Sequence, residues 1–156
     1  TSAGLVQQPK LYDSNGFFWL RSTSNPSGQS GVNGVVFTTR AQAGSGNTST
    51  TTGRYTTPVD GVYHFSTNIR IDQASSASTY FRIAFYTGTN PRTDQASYGQ
   101  GHSIYGPGSY STNYFSMQTS WSVYLSAGTQ VGVAVEMNSG TYTIHSESQF
   151  SGHLVG

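Results

Sequence analysis

The chain has 156 residues, of which 34% are hydrophobic, 13% aromatic and only 8% charged, and its formal net charge is +1. Such a near-neutral chain has no basic field to hold a phosphate backbone, so nucleic acid is excluded as an expected partner. The aromatic content excludes a disordered chain, and the absence of cysteine excludes disulfides, thiolate metal sites and cysteine nucleophiles. No apolar run approaches the length of a membrane span.

The predicted elements are all β-strands, because no segment has a helical period and turn residues recur between short apolar stretches. In chain order, strands are predicted at 16–21, 34–41, through Tyr55, 62–71, 81–85, weakly at 96–99, and at 115–125, 131–137 and 150–154. No repeat or linker divides them. We therefore expect a single all-β domain over 1–156, a sandwich or jelly roll, with 1–10 as a flexible N-terminal segment.

The strongest pattern is a turn at 58–61 followed by a long alternating strand. Pro58 presets φ and Gly61 removes the Cβ penalty, which is typical of a tight turn. Beyond it, apolar and polar side chains alternate with the period of a half-buried strand. The predicted core face holds Tyr63, Phe65, Thr67, Ile69 and Ile71, and the polar face holds His64, Ser66, Asn68, Arg70 and Asp72.

The strand at 115–125 repeats this alternation with a mild, uncharged polar face. Its outward residues are Ser116, Gln118, Ser120, Ser122 and Tyr124. Such a face is compatible with solvent and equally with contact to another subunit, and the pattern alone leaves both interpretations open.

Three stretches carry a family resemblance. Residues 53–66 read Gly-x-Tyr-x-x-Pro-x-Asp-Gly-x-Tyr-x-Phe-Ser, residues 120–131 read Ser-Trp-Ser-Val-Tyr-Leu-Ser-Ala-Gly-Thr-Gln-Val, and residues 148–155 read Ser-Gln-Phe-Ser-Gly-His-Leu-Val. In this order and near these spacings they resemble the C1q-type globular head of the complement and tumour necrosis factor superfamily. Thr129 stands where that family often has Asp, and the Gly/Tyr-rich segment 99–113 is unusual for it.

The resemblance implies a ten-stranded jelly roll of the C1q/tumour necrosis factor type, assembled as a compact homotrimer. It further implies a secreted, extracellular protein that acts by recognition and not by catalysis. A trimer would also give outward aromatic side chains a place to pack around the threefold axis.

Jelly-roll topology places the candidate site. Strands run up and down, so the turns at 58–61, 88–94 and 127–130 are expected at one end, and the loops at 72–78, 99–113 and 138–146 at the other. Binding residues concentrate in loops held on a rigid scaffold. The candidate ligand-binding residues in the second set are Asp72, Gln73, His102, Tyr105, Tyr110, Asn138, Tyr142 and His145.

The composition of these loops favours a carbohydrate ligand. Tyr, Ser, Gly and Asn form adaptable recognition surfaces, with aromatic rings available to stack on a sugar and amides or carboxylates to bond hydroxyls. The hypothesis is a lectin-like head that binds a glycan or a cell-surface glycoconjugate at the trimer apex. The alternative is that these loops are ordinary solvated surface.

Catalysis and cofactors are not expected. The four histidines and six carboxylates form no recognisable catalytic motif, so catalytic and metal residues are predicted as none and cofactors as none. His64 is interpreted as a surface or interface residue. Glu136 and Glu147 form a glycosidase pair only if the fold brings them together. Calcium, which some members of the resembled family bind near the apex, stays an open alternative: the loops there offer Asp72 and Glu147 with carbonyls and amides, and a threefold assembly would multiply one Asp into three ligands.

Two further interpretations involve a protein partner. The composition also resembles that of trimeric fibre heads, and a trimeric ligand or receptor-binding tip would recognise protein without binding sugar. The sequence does not choose between these and the lectin hypothesis.

Overall fold

The structure, a computed structural model, describes residues 17–21, 27–42, 47–72, 80–94, 102–105 and 115–156. In these ranges the chain forms eleven β-strands and no helix. The strands are β1 (Phe17–Arg21), β2 (Ser27–Gly34), β3 (Thr39–Gln42), β4 (Thr48–Ser49), β5 (Arg54–Thr56), β6 (Gly61–Asp72), β7 (Phe81–Thr87), β8 (His102–Tyr105), β9 (Phe115–Leu125), β10 (Gln130–Ile144) and β11 (Gln149–Leu154).

The strands form two antiparallel layers joined along β10. One layer has the order β3-β1-β11-β6-β9, and the other is built on β10, which pairs with β2, β5 and β7, while β8 extends β7. The layers meet where the last residues of β10 pair with the last residues of β6, Thr143 with Asp72 and Ile144 with Ile71. This all-β sandwich confirms the predicted fold class.

The core lies between the two layers and confirms the predicted strand faces. In β6 the residues of the predicted core face are buried, and those of the polar face are exposed or half-buried down to Arg70. An aromatic cluster fills the centre: the Phe18 ring stacks on Tyr55 at 4.3 Å and meets Phe150 edge-on at 4.7 Å. Offset and edge-on ring pairs of this kind stabilise a core beyond the area that they bury.

The structure corrects several predicted strand boundaries. The segment expected as one strand at 34–41 is the end of β2, a connection and then β3, while β4 and β8 had no counterpart in the prediction. The predicted strand at 131–137 continues to Ile144. The described residues hold eleven strands where ten were expected, and the weak strand at 96–99 lies outside the described residues.

The predicted grouping of turns at one end of the sandwich is confirmed. The Asp60 carboxylate accepts a hydrogen bond from the Ala127 amide at 2.7 Å, and the Gly88 amide donates to the Gln130 carbonyl at 2.8 Å. The opposite end, where β6 finishes at Asp72 and β9 begins at Phe115, is here called the distal end.

Candidate functional site

Four side chains form a charged cluster at the distal end. The Arg70 guanidinium donates from Nε to Asp72 Oδ1 at 3.0 Å and from Nη1 to Glu147 Oε2 at 3.1 Å. The His145 ring lies between the same two carboxylates, with Nε2 3.9 Å from Asp72 Oδ2 and Nδ1 3.6 Å from Glu147 Oε2. This cluster of Arg70, Asp72, His145 and Glu147 is here called the distal cluster.

Backbone and side-chain hydrogen bonds fix the distal cluster on the paired ends of β6 and β10. The His145 amide donates to the Arg70 carbonyl at 2.9 Å, and the Ser148 hydroxyl accepts from the Arg70 amide at 3.0 Å. The Glu147 amide donates to His145 Nδ1 at 3.1 Å, which makes Nδ1 an acceptor and leaves the ring proton on Nε2, toward Asp72. The turn after β10 is thereby held against the last residues of β6.

The cluster presents one carboxylate to solvent and keeps the other in place. The Asp72 side chain is 10% exposed and the Glu147 side chain 65% exposed. Because Arg70 already binds both carboxylates, Glu147 is an oriented, accessible hydrogen-bond acceptor at the surface. Such an acceptor suits a neutral ligand rich in hydroxyl groups.

The structure brings together only part of the predicted ligand-binding set. Asp72 and His145 meet in the distal cluster, as placed by topology. The backbone of Tyr105 pairs with Phe81 near the distal end, whereas the backbone of His102 pairs with Ala84 further along β7. Two more of the predicted residues, Gln73 and Tyr110, lie outside the described residues.

Asn138 and Tyr142 are not loop residues, which corrects their predicted setting. Both belong to β10, whose register shifts between Met137 and Thr141 at a bulge that includes Gly140 with φ of +85°. Asn138 is exposed at this bulge. Tyr142 is 2% exposed and its ring packs edge-on against Phe81 at 6.0 Å, so it serves the core and is not open to a ligand.

Arg70 and Glu147 are the residues of the distal cluster that the predicted set left out. The signal for Arg70 was present, because period-2 alternation puts it on the same face as Asp72. The Arg70–Glu147 pair spans 77 residues of sequence and depends on the pairing of β11 with β6, which no local pattern reveals.

The distal cluster does not fit calcium. Calcium needs six to eight oxygen ligands, and here a guanidinium occupies both carboxylates. Within the described ranges no three His, Cys, Asp or Glu side chains are arranged to hold a metal ion. Glu136 and Glu147 also do not face each other, since Glu136 pairs with Arg82 and accepts from the Tyr80 hydroxyl at 2.8 Å.

The outward face of the layer β1-β11-β6-β9 is the second notable surface. Its side chains form rows across β9, β6 and β11, and register and backbone bonds place Tyr124, Val62 and Val155 in the first row. The following rows are Ser122, His64 and His153; Ser120, Ser66 and Ser151; and Gln118, Asn68 and Gln149. The first row is an exposed apolar patch, with Tyr124 63% exposed.

An open groove of about 250 Å³ lies over the row formed by Gln118, Asn68 and Gln149, and Trp19 bounds it. The indole Nε1 donates to Gln149 Oε1 at 2.9 Å, and Asn68 Oδ1 is buried without a hydrogen-bond partner among the described residues. A buried acceptor left open is costly, so this face has capacity for a further donor.

Comparison with known proteins agrees with the fold. The family model described as "C1q domain" matches residues 17–155. No curated protein matches. Among solved structures, the globular domain of zebrafish complement 1qA is 14% identical with a TM-score of 0.63, over 91% of this chain and 98% of that one. Eiger, a tumour necrosis factor protein from S. frugiperda, is 12% identical with a TM-score of 0.67, over 91% and 94%.

A third solved structure, murine APRIL at pH 5.0, is 10% identical with a TM-score of 0.63 and covers 90% of this chain and 98% of its own. At these identities the three structures show a shared fold. No helix in the described residues is long and apolar enough to cross a membrane.

Proposed function

Because this chain belongs to the C1q domain family, matched from 17 to 155, we propose that it is a trimeric, extracellular recognition head that binds carbohydrate at its distal end. The family is typically extracellular and non-enzymatic, and its domains form trimers and bind ligands or receptors. The C1q fold supplies the scaffold, and the ligand and its binding site are what we propose.

The observation that carries the proposal is the oriented Glu147 carboxylate. Arg70 Nη1 donates to it at 3.1 Å, and its side chain is 65% exposed. A hydrogen bond between a sugar hydroxyl and a charged acceptor contributes about 1.5–3 kcal/mol. An acceptor whose partners are already in place loses little conformational freedom when the ligand binds.

Glycan-array binding by the purified chain tests the proposal. We expect a subset of glycans to bind wild-type protein and to be lost with Glu147→Gln, Tyr105→Ala and Tyr110→Ala. The matched control is Arg92→Gln, which changes one charge on an exposed residue in the turn after β7, at the opposite end. An array on which no glycan binds, or on which binding survives all three substitutions, contradicts the proposal.

A protein partner without sugar binding is the second candidate, and the exposed apolar row favours a protein contact somewhere on this chain. We assign that row first to assembly: Tyr124, Val62 and Val155 lie side by side on the outward face, and three copies can close such a patch around a cyclic axis.

Light scattering of the eluting protein tests assembly separately from ligand binding. We expect a particle of three chains of 16.7 kDa each. Tyr124→Arg places a charge in the apolar row and is expected to yield monomer, whereas Val59→Arg, exposed in the 58–61 turn, leaves the trimer intact. A wild-type monomer contradicts the assembly, and a trimer that binds no sugar favours the protein-partner candidate.

A further inference from the structure

Two histidines face each other across neighbouring strands on the outward face, next to the apolar row. His64 of β6 and His153 of β11 are direct antiparallel partners, and their ring centroids are 5.6 Å apart with the planes tilted by 50°. Within a single chain His64 is half-buried and His153 is exposed, so both rings are accessible from the outward face. The distal cluster, at the other end of β6, does not involve them.

The ring separation fits two imidazoles bound to one metal ion. With zinc–nitrogen bonds of about 2.0–2.1 Å and a tetrahedral angle, the two ring centroids lie about 5 Å apart. The separation of 5.6 Å is close to this value and is reached by small changes in side-chain torsion. Direct cross-strand partners keep their Cβ atoms about 4.5–5.5 Å apart, so the backbone already sets the spacing.

Ser122 supplies the orientation that ligating histidines need. Its Oγ lies 2.9 Å from His64 Nδ1, and it accepts from Nδ1–H in the tautomer that leaves the Nε2 lone pair open. Metal-binding histidines almost always donate the N–H of their second ring nitrogen to a hydrogen-bond acceptor, which fixes tautomer and ring plane. In that tautomer His64 is prearranged to bind through Nε2.

We propose that His64 and His153 form a bidentate site on the outward face for a divalent transition-metal ion of the zinc and copper class, with the remaining positions open to water or, in the trimer, to the neighbouring protomer. Imidazole nitrogen suits these ions, whereas calcium and magnesium prefer oxygen. Two protein ligands leave the coordination of the ion open.

Calorimetric titration of the full chain with zinc chloride, copper chloride and calcium chloride tests the site. We expect one zinc per chain, tighter binding of copper than of zinc, and no heat from calcium. His64→Gln and His153→Gln each lower zinc affinity by about tenfold or more, and Ser122→Ala lowers it less. The matched control, Ser120→Ala, removes a hydroxyl one row away on the same strand and leaves affinity unchanged.

Histidine ring proton signals in an NMR titration locate the ion independently of the variants. Zinc is expected to shift or broaden the signals of His64 and His153, and to leave that of His145 in place. Zinc affinity that is unchanged by either single histidine substitution, or wild-type protein that binds no zinc at millimolar concentration, overturns the proposal. Circular dichroism of each variant checks that it folds, so that weaker zinc binding can be attributed to the missing metal-ligating side chain.

Discussion

Gly152 lies in β11 between two phenylalanines, and replacing it with alanine directly perturbs the core. Its register partners are Phe18 in β1 and Phe65 in β6. A Cβ at this position would lie 2.5 Å from Phe65 Cδ1, 2.8 Å from Phe18 Cε1 and 3.0 Å from the His64 carbonyl oxygen. Ordinary contacts between carbon atoms are about 3.5–4.0 Å, so the neighbours must retreat by about 1 Å.

The rings have little room to do so. Phe65 is 0% and Phe18 1% exposed, and Phe65 also contacts the rings of Tyr63, Phe85 and Phe150. Overpacking a well-filled core costs about 1–3 kcal/mol. We expect Gly152→Ala to lie in the upper part of that range, about 2–3 kcal/mol, which lowers Tm by about 4–12 °C for a domain of this size.

Urea unfolding at a fixed protein concentration measures this cost. The matched control is Gly156→Ala, because a Cβ there meets no atom within 4 Å, and it is expected to match wild type. If overpacking is the cause, combining Gly152→Ala with Phe18→Leu destabilises by less than the sum of the two changes. A Gly152→Ala variant as stable as wild type refutes the close packing of Phe18 and Phe65 against Gly152.

Three other predictions concern the distal cluster, the buried tyrosines and calcium. Arg70→Met leaves the nearly buried Asp72 carboxylate without its guanidinium partner, and we expect it to lower the free energy of unfolding in urea by about 1–3 kcal/mol. The control Arg92→Met is expected to have no effect. Equal stability of the two variants would contradict the ion pairs of the distal cluster. Burial raises the pKa of Tyr142 to about 12 and also raises the pKa of Tyr55, above the unfolded value of about 10. Their contribution to stability is therefore complete below pH 10 and is lost as the pH rises above that value, so the tyrosinate absorbance of these two buried residues should rise together with unfolding and not before it. Calcium and a chelator are both expected to leave Tm unchanged. A rise in Tm on addition of calcium would show that the chain holds calcium ligands other than those of the distal cluster.

The alternation of apolar and polar residues predicted those strands whose own sequence shows it. In β6 and β9 one face is apolar over many residues, so period 2 indicated both the strand and its buried side. In β2, with the sequence Ser-Gly-Gln-Ser-Gly-Val-Asn-Gly, no such face exists. This strand forms because its backbone pairs with β10, and no property of its own side chains announces that pairing.

The same limit explains the errors at the candidate site. Asn138-Ser139-Gly140 reads as a turn, but Gly140 adopts φ of +85° within a bulge and the strand continues. Tyr142 consequently lies in the core, where loop composition had suggested a ligand contact. Asp72 and His145 were found because topology alone brings the ends of β6 and β10 together.

The claim that the distal cluster binds carbohydrate is tested most directly by one measurement. It compares the affinity of the glycan that binds best on the array for wild-type protein, Glu147→Gln and Arg92→Gln. We expect Glu147→Gln to weaken binding by about tenfold or more, because a neutral amide replaces the charged acceptor, and Arg92→Gln to leave it unchanged. Equal affinity in wild type, Glu147→Gln and Arg92→Gln would contradict carbohydrate recognition by the distal cluster.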